Sequence, residues 1–253
     1  MVKIIVEFND INGNKQTLDL EKRENIAFNA DCMEFLRNCP DNAFDLCVCD
    51  PPYGIGADNF KNGAGASKDG GKLYSTAVKM KNRLNTGSGK LKNRLLNQSD
   101  CSWDSEPPQK EYFNELFRVS KNQIIWGGNY FDLPPTRGII VWDKVQPWEN
   151  FSQVELAWTS FDRPAALFKM CNTMPGKIHP TQKPVALYEW LFKKYAKPGD
   201  KILDTHLGSG SSRIAAYNAG LYFIGYEINE LYFNLQEERY QKHTAQENLF
   251  LME

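Results

Sequence analysis

Apolar and polar positions repeat at two different periods along this chain, and the changes of period mark out its elements. The runs KIIVEF (3–8) and KQTLDL (15–20) flank the turn-rich NDINGN and predict an N-terminal hairpin. NIAFNAD (25–31) predicts a short strand leading into the helix CMEFLRNCP, and AFDLCVCDPPYG follows as a buried strand. That strand must stop at Asp50-Pro51-Pro52-Tyr53, because two prolines cannot continue a central strand. QKEYFNELFRVSK (109–121) carries Tyr112, Phe113, Leu116, Phe117 and Val119 at near-helical spacing, and NQIIWGGNYF reads as a strand and a glycine turn. GIIVWDK (138–144) and VELAWTSF (154–161) are further strands, residues 162–178 read as irregular, and KPVALYEWLFKKYA (183–196) is an amphipathic helix stopped by Pro198-Gly199. KILDTHLGSGSSRIAAYNAGLYFIGYEIN then gives a strand, glycine turn, helix and strand, with a last helix from about 229 to 243. Such alternation predicts an α/β fold: a Rossmann-like, mostly parallel sheet with helices on both faces, plus the N-terminal hairpin.

Composition narrows the class. The 253 residues hold 30 Lys+Arg against 31 Asp+Glu with 42% hydrophobic residues, an ordinary globular balance that excludes disordered and collagen-like chains. No run of about 20 apolar residues exists to span a bilayer, and Met1 to Phe8 lacks the features of a signal peptide, so a cytoplasmic location is expected. Six cysteines without a C-x-x-C pair and three histidines predict no metal site; the cysteines read as small buried hydrophobes. Charge is unevenly spread: residues 61–99 hold nine basic residues, among them Lys79, Lys81, Arg83, Lys90 and Lys92, against the single acid Asp69, a local balance of +8. With many glycines and weak periodicity, 61–100 reads as an inserted basic loop. Its expected partner is the phosphate backbone of nucleic acid; the alternative is a solvated linker.

Two segments carry candidate chemistry. Between residues 201 and 227 a strand ending at Asp204 enters Gly208-Ser209-Gly210 and a helix, and Glu227 closes the next strand. Glycines there let backbone approach a nucleoside, and an acid at the second strand tip can accept ribose hydroxyls. Arg213 stands where a third fingerprint glycine would be, which disfavours a pyrophosphate and suits a nucleoside such as S-adenosylmethionine. In the second segment, Asp50 and the carbonyl of Pro51, stiffened by Pro52, can accept both N–H bonds of an exocyclic amine and aim its lone pair at a methyl group. Tyr53 offers a ring for the base to stack on, worth about 1–3 kcal/mol.

Together the two segments resemble the amino-group DNA methyltransferases that use S-adenosylmethionine, in their circularly permuted, beta-type arrangement: catalytic motif first, variable middle, glycine motif last. The resemblance covers most of the chain, with Asp50 to Tyr53 similar to the D-P-P-Y motif, DTHLGSGSS to the glycine motif, and His179-Pro180-Thr181-Gln182-Lys183-Pro184 to the block preceding it. It implies a single methyltransferase domain over 1–253, methylation of adenine N6 on a flipped-out base, Asp31 at the cofactor's adenine amine, Glu227 at its ribose and Lys183 near its methionine carboxylate. Cytosine N4 is the alternative target; RNA or protein amine methylation fits the motif order less well, and a catalytically silent DNA-binding relative belongs to another class. The chain departs from the family at Asp204-Thr205-His206, where Asp-Pro-Phe is usual, so His206 replaces an aromatic of the cofactor pocket; its use as a general base is a minority reading. DNA recognition is assigned to 61–100, with 145–178 as the second candidate. The resemblance also suggests a homodimer, and Gln246 to Phe250 resembles a peptide that docks on the replication sliding clamp, although a tail folding on its own core is the simpler reading.

Overall fold

The computed structural model describes residues 3–55, 104, 106–146, 152–172 and 176–250, with side chains to 246. Two compact units divide the chain, Met1–Pro51 with Pro108–Glu253, and Pro52–Pro107. The basic segment 61–100 lies outside the described residues.

In the larger unit, β1 (Ile5–Asn9) and β2 (Lys15–Asp19) form an antiparallel hairpin. Among the described residues, eight strands make the main sheet: β3 (Asn25–Phe28), β4 (Leu46–Cys49), β5 (Gln123–Trp126), β6 (Ile139–Asp143), β7 (Val154–Thr159), β8 (Ala166–Lys169), β9 (Lys201–Asp204) and β10 (Tyr222–Tyr226). Their order is β3-β10-β9-β4-β5-β7-β6-β8. The first five run parallel, β7 is antiparallel to both neighbours, and β8 pairs parallel to β6. The helices are α1 (Cys32–Asn38), α2 (Lys110–Val119), α3 (Val185–Tyr195), α4 (Ser211–Asn218) and α5 (Glu230–Phe250).

Residues along β4 alternate between two cores. Cys47 and Cys49 join Phe35, Leu36, Leu116 and the hairpin's Val6 and Phe8 on one face, so α1 and α2 cover that side. Leu46 and Val48 join Leu187, Leu191, Ala215 and Ala216 on the other, beneath α3 and α4. Both faces of the parallel strands are therefore dry, which is why β4, with the sequence LCVC, reads as a continuous apolar run. Cys32, Cys39, Cys47 and Cys49 are buried as expected, whereas Cys171 is exposed.

Two readings of the sequence need correction. Residues 162–178 contain β8, a short edge strand whose Leu167 is 54% exposed and whose backbone pairing with β6 supplies what its side-chain pattern lacks. The last helix runs on to Phe250 rather than stopping near 243, so Gln246 to Phe250 lies within α5. No helix among the described residues is long and apolar enough to cross a membrane.

Chain order reverses between β4 and β9. From β9 the chain passes through α4 to β10 on one side, while the strand that follows β4, β5, lies on the other. Such a switch point opens a crevice at the carboxyl ends of the strands, where open α/β sheets hold their ligands.

Candidate functional site at the strand switch point

Asp50 leaves the carboxyl end of β4 and the turn 204–210 leaves the same end of the neighbouring β9, at the switch point. Gly208 (φ 52°) and Gly210 (φ 70°) both occupy the left-handed region, which explains two of the turn's glycines. A Cβ at Gly210 would stand 3.0 Å from Gln236 Oε1, so the turn packs tightly below as well. Glu227, just past β10, is buried; its Oε2 accepts the Gly208 N–H at 2.8 Å and its Oε1 the Asn229 N–H at 2.8 Å. Burial raises its pKa above the ordinary value despite these backbone donors.

Asp204 is almost fully buried. Its Oδ2 accepts from Ser212 Oγ at 2.5 Å and its Oδ1 from the His206 N–H at 3.0 Å. Burial nevertheless lifts the acid to about 7, with the charges of Asp50 and Glu227 adding to the rise. His206 Nδ1 lies 3.0 Å from Thr205 Oγ1 and 3.5 Å from the Tyr112 hydroxyl, and its ring meets Tyr112 edge-on. Burial pulls this imidazole down to about 4, which keeps it neutral at neutral pH. His179 packs on Tyr232 and beside Gly208, and burial lowers it to about 3. Asp31 is the N-cap of α1, accepting the Met33 N–H at 2.9 Å, and stands exposed beyond the carboxyl end of β3.

Lys183, in the turn before α3, has 3% of its surface exposed. Its ammonium pairs with Asp50 Oδ2, lies 3.0 Å from Glu155 Oε2 and sits 5.1 Å from the centroid of the Trp126 ring. Glu155 in turn pairs with Lys144 at 2.5 Å. Because β7 is antiparallel to β5, its second residue enters at the same edge as Asp50. Burial works against both charges, yet the partners outweigh it: Lys183 is raised above its ordinary value and Glu155 is lowered. This is an alternating cluster, Asp50, Lys183, Glu155, Lys144, with no net charge.

Asp50 and Pro51 belong to the larger unit and Pro52 and Tyr53 to the smaller. Within the smaller one, Asp104 Oδ1 accepts the N–H groups of Tyr53 (2.7 Å) and Gly54 (3.1 Å), and Gly54 adopts φ 70°. The turn that carries the Tyr53 ring is thereby fixed. Lys79, Lys81, Arg83, Lys90 and Lys92 lie outside the described residues. Strands β7 and β8 occupy part of 145–178, the second recognition candidate. The sequence reading missed Asp104, Glu155 and Lys144; none belongs to a periodic or spaced motif, and a charged residue inside VELAWT was the one available signal for Glu155.

Comparison with known proteins supplies the family. The DNA methylase family N6_N4_Mtase matches residues 66–238, which contain the glycine turn, Glu227 and Lys183 and begin after Asp50–Tyr53. The type II methyltransferase M2.DpnII of Streptococcus pneumoniae is 24% identical over 257 residues, 86% of this chain and 90% of that protein. M2.MboI of Moraxella bovis, also a type II methyltransferase, is 24% identical over 256 residues, 88% and 90% of the two chains. Among solved structures, the M1.HpyAVI-SAM complex is similar with a TM-score of 0.51 at 18% identity, covering 84% of this chain and 98% of that one. PvuII DNA methyltransferase, described as cytosine-N4-specific, gives 0.53 at 14% identity over 87% and 89%. With the family match spanning more than half of its length, the chain belongs to the N6/N4 DNA methylase family.

Proposed function

We propose that the protein transfers the methyl group of S-adenosylmethionine to N6 of adenine in DNA, acting on a base turned out of the duplex because the amine is out of reach within the stack. The observation that carries this reading is the strand switch point, where Asp50 leaves β4 and the glycine turn, tied to Glu227, leaves the neighbouring β9. The donor set suits the cofactor. Gly208 and Gly210 allow close backbone approach, Glu227 is fixed to meet a ribose, and Asp31 offers a carboxylate to an adenine amine. An ammonium has three N–H donors, so Lys183 can face a ligand carboxylate while keeping its two intrachain partners. Names of the relatives support the donor too, since the M1.HpyAVI structure is a complex with SAM.

The bound cofactor supplies an electrophilic methyl group; the chain's residues prepare the nucleophile. Asp50 and the Pro51 carbonyl accept the two amine N–H bonds, which withdraws the nitrogen lone pair from the ring and directs it along the transfer axis. Tyr53 stacks on the base, its backbone held by Asp104. Asp50 serves as acceptor and orienter, because the nitrogen becomes acidic only once methylated and can then release its proton to water. Aspartate in the first motif position favours adenine; cytosine N4 offers the same amine chemistry and is distinguished by product analysis. DNA is the macromolecular partner, and the positive charge of the basic segment 61–100 is the proposed match for its phosphates. A second copy of the chain and a sliding clamp are further proposed partners, the latter on the Gln246–Phe250 peptide alone. Incubation with DNA and labelled S-adenosylmethionine tests the reading: label should enter DNA as N6-methyladenine, and no transfer would reject it.

A further inference from the structure

We propose that Glu155, acting through Lys183, is a positioning residue for Asp50. This rests on the functional reading above and adds to it a residue that lies outside every motif read from the sequence. Three separate parts of the chain meet at the Lys183 ammonium: Asp50 at the end of β4, Glu155 on β7 and the Trp126 ring on β5. An aspartate that must present an acceptor to an amine needs a fixed carboxylate plane, and Lys183 grips that plane through Oδ2. Lysine on a flexible stem cannot do this alone. The second carboxylate, Glu155, lies 3.0 Å from the same ammonium and is itself paired with Lys144 at 2.5 Å.

Charge gives Glu155 a second role. Lys183 paired with Asp50 alone would draw that carboxylate's electron density fully to itself, weakening it as an acceptor for the substrate amine. Sharing the cation between two carboxylates leaves Asp50 the stronger acceptor, and Lys144 balances the added negative charge. Among the described residues, Asp50, Glu155, the neutral imidazole of His179, and Lys144 through Glu155 bear on Lys183; Tyr188 feels the Asp50 and Glu155 charges as well. Of these, only Asp50 and Glu155 raise the lysine. Replacing Glu155 by Gln therefore has a signed consequence: Lys183 should lose its proton at a lower pH, and transfer should fail at a lower pH with it.

The test uses Glu155→Gln and Glu155→Asp in the full chain, with two independent readouts. Lys183 side-chain nitrogen is titrated by NMR in the protein without ligands, its resonance assigned by its absence from Lys183→Arg. Single-turnover methyl transfer is measured against pH, together with binding of S-adenosylmethionine and DNA. For Glu155→Gln the expected result is a Lys183 titration moved to lower pH, a transfer rate reduced about tenfold or more, the alkaline limb of the rate profile displaced in the same direction, and binding constants within about twofold of wild type. Glu155→Asp should show smaller changes of the same sign, and decides the matter if the glutamine variant does not fold. An unchanged Lys183 titration overturns the proposal whatever the rates do. A reduced rate with an undisplaced alkaline limb overturns it too, by showing a merely structural role. Wild-type protein that titrates as described but transfers no methyl to DNA would instead overturn the functional reading, and with it the catalytic consequence of the pairing.

Discussion

Gly208 and Glu227 are joined across the ends of β9 and β10, the glycine N–H donating to Glu227 Oε2 at 2.8 Å. One bond thus fixes both the glycine turn and the acid proposed to meet the cofactor's ribose. Glu227→Ala should weaken S-adenosylmethionine by about 1.5–3 kcal/mol, the range for hydrogen bonds to a charged group, measured by calorimetry. Unchanged affinity would remove Glu227 from the site.

Asp50 predicts the opposite division of effects. In Asp50→Ala, Lys183 retains Glu155, so the fold and cofactor binding should persist while methyl transfer collapses, the lost interaction being made chiefly in the transition state. Near-normal transfer by this variant would disprove the catalytic assignment.

His206 allows a test by pH. Its folded-state pKa is depressed from 6.5 to about 4, so its contribution to stability is complete above about 6.5 and is lost as pH falls toward 4. Asp204 runs the other way: raised from 3.8 to about 7, it contributes fully below about 3.8 and loses that contribution as pH rises through 7. His206→Phe should lessen the destabilisation between pH 6.5 and 4, and Asp204→Asn should stabilise the protein above pH 7 relative to wild type. Thermal unfolding across pH reads both; parallel curves for wild type and variants would show that these groups are not buried as described.

The hairpin, the glycine turn and the D-P-P-Y turn were legible in the sequence because each is local: NDINGN, GSG and the diproline dictate their own backbone. Strand β8 was not, since its pairing with β6 and not its own pattern makes it a strand. The extent of α5 escaped for a related reason. Its charged and apolar residues are spread around the helix without a stripe whose end could be read. The Asp50–Lys183–Glu155–Lys144 cluster is assembled from four places in the chain that only the strand order brings together, so no local pattern pointed to Glu155.

The basic segment yields a prediction through salt dependence. Neutralising Lys79, Lys81, Arg83, Lys90 and Lys92 should weaken DNA binding and flatten the slope of log K against log salt by up to about 0.9 for each phosphate no longer neutralised, leaving cofactor affinity alone. An unaltered slope would make the segment a linker and turn attention to residues 145–178.

The most direct test of the whole account is the identity of the modified base. DNA incubated with the protein and S-adenosylmethionine is digested to nucleosides and analysed by mass spectrometry. An amine held by Asp50 and the Pro51 carbonyl, with aspartate in the first motif position, predicts N6-methyladenine as the product, absent when Asp50→Ala is used. N4-methylcytosine as the sole product would contradict the adenine assignment, and DNA free of either base would contradict the claim that the switch-point crevice is a methyl-transfer site.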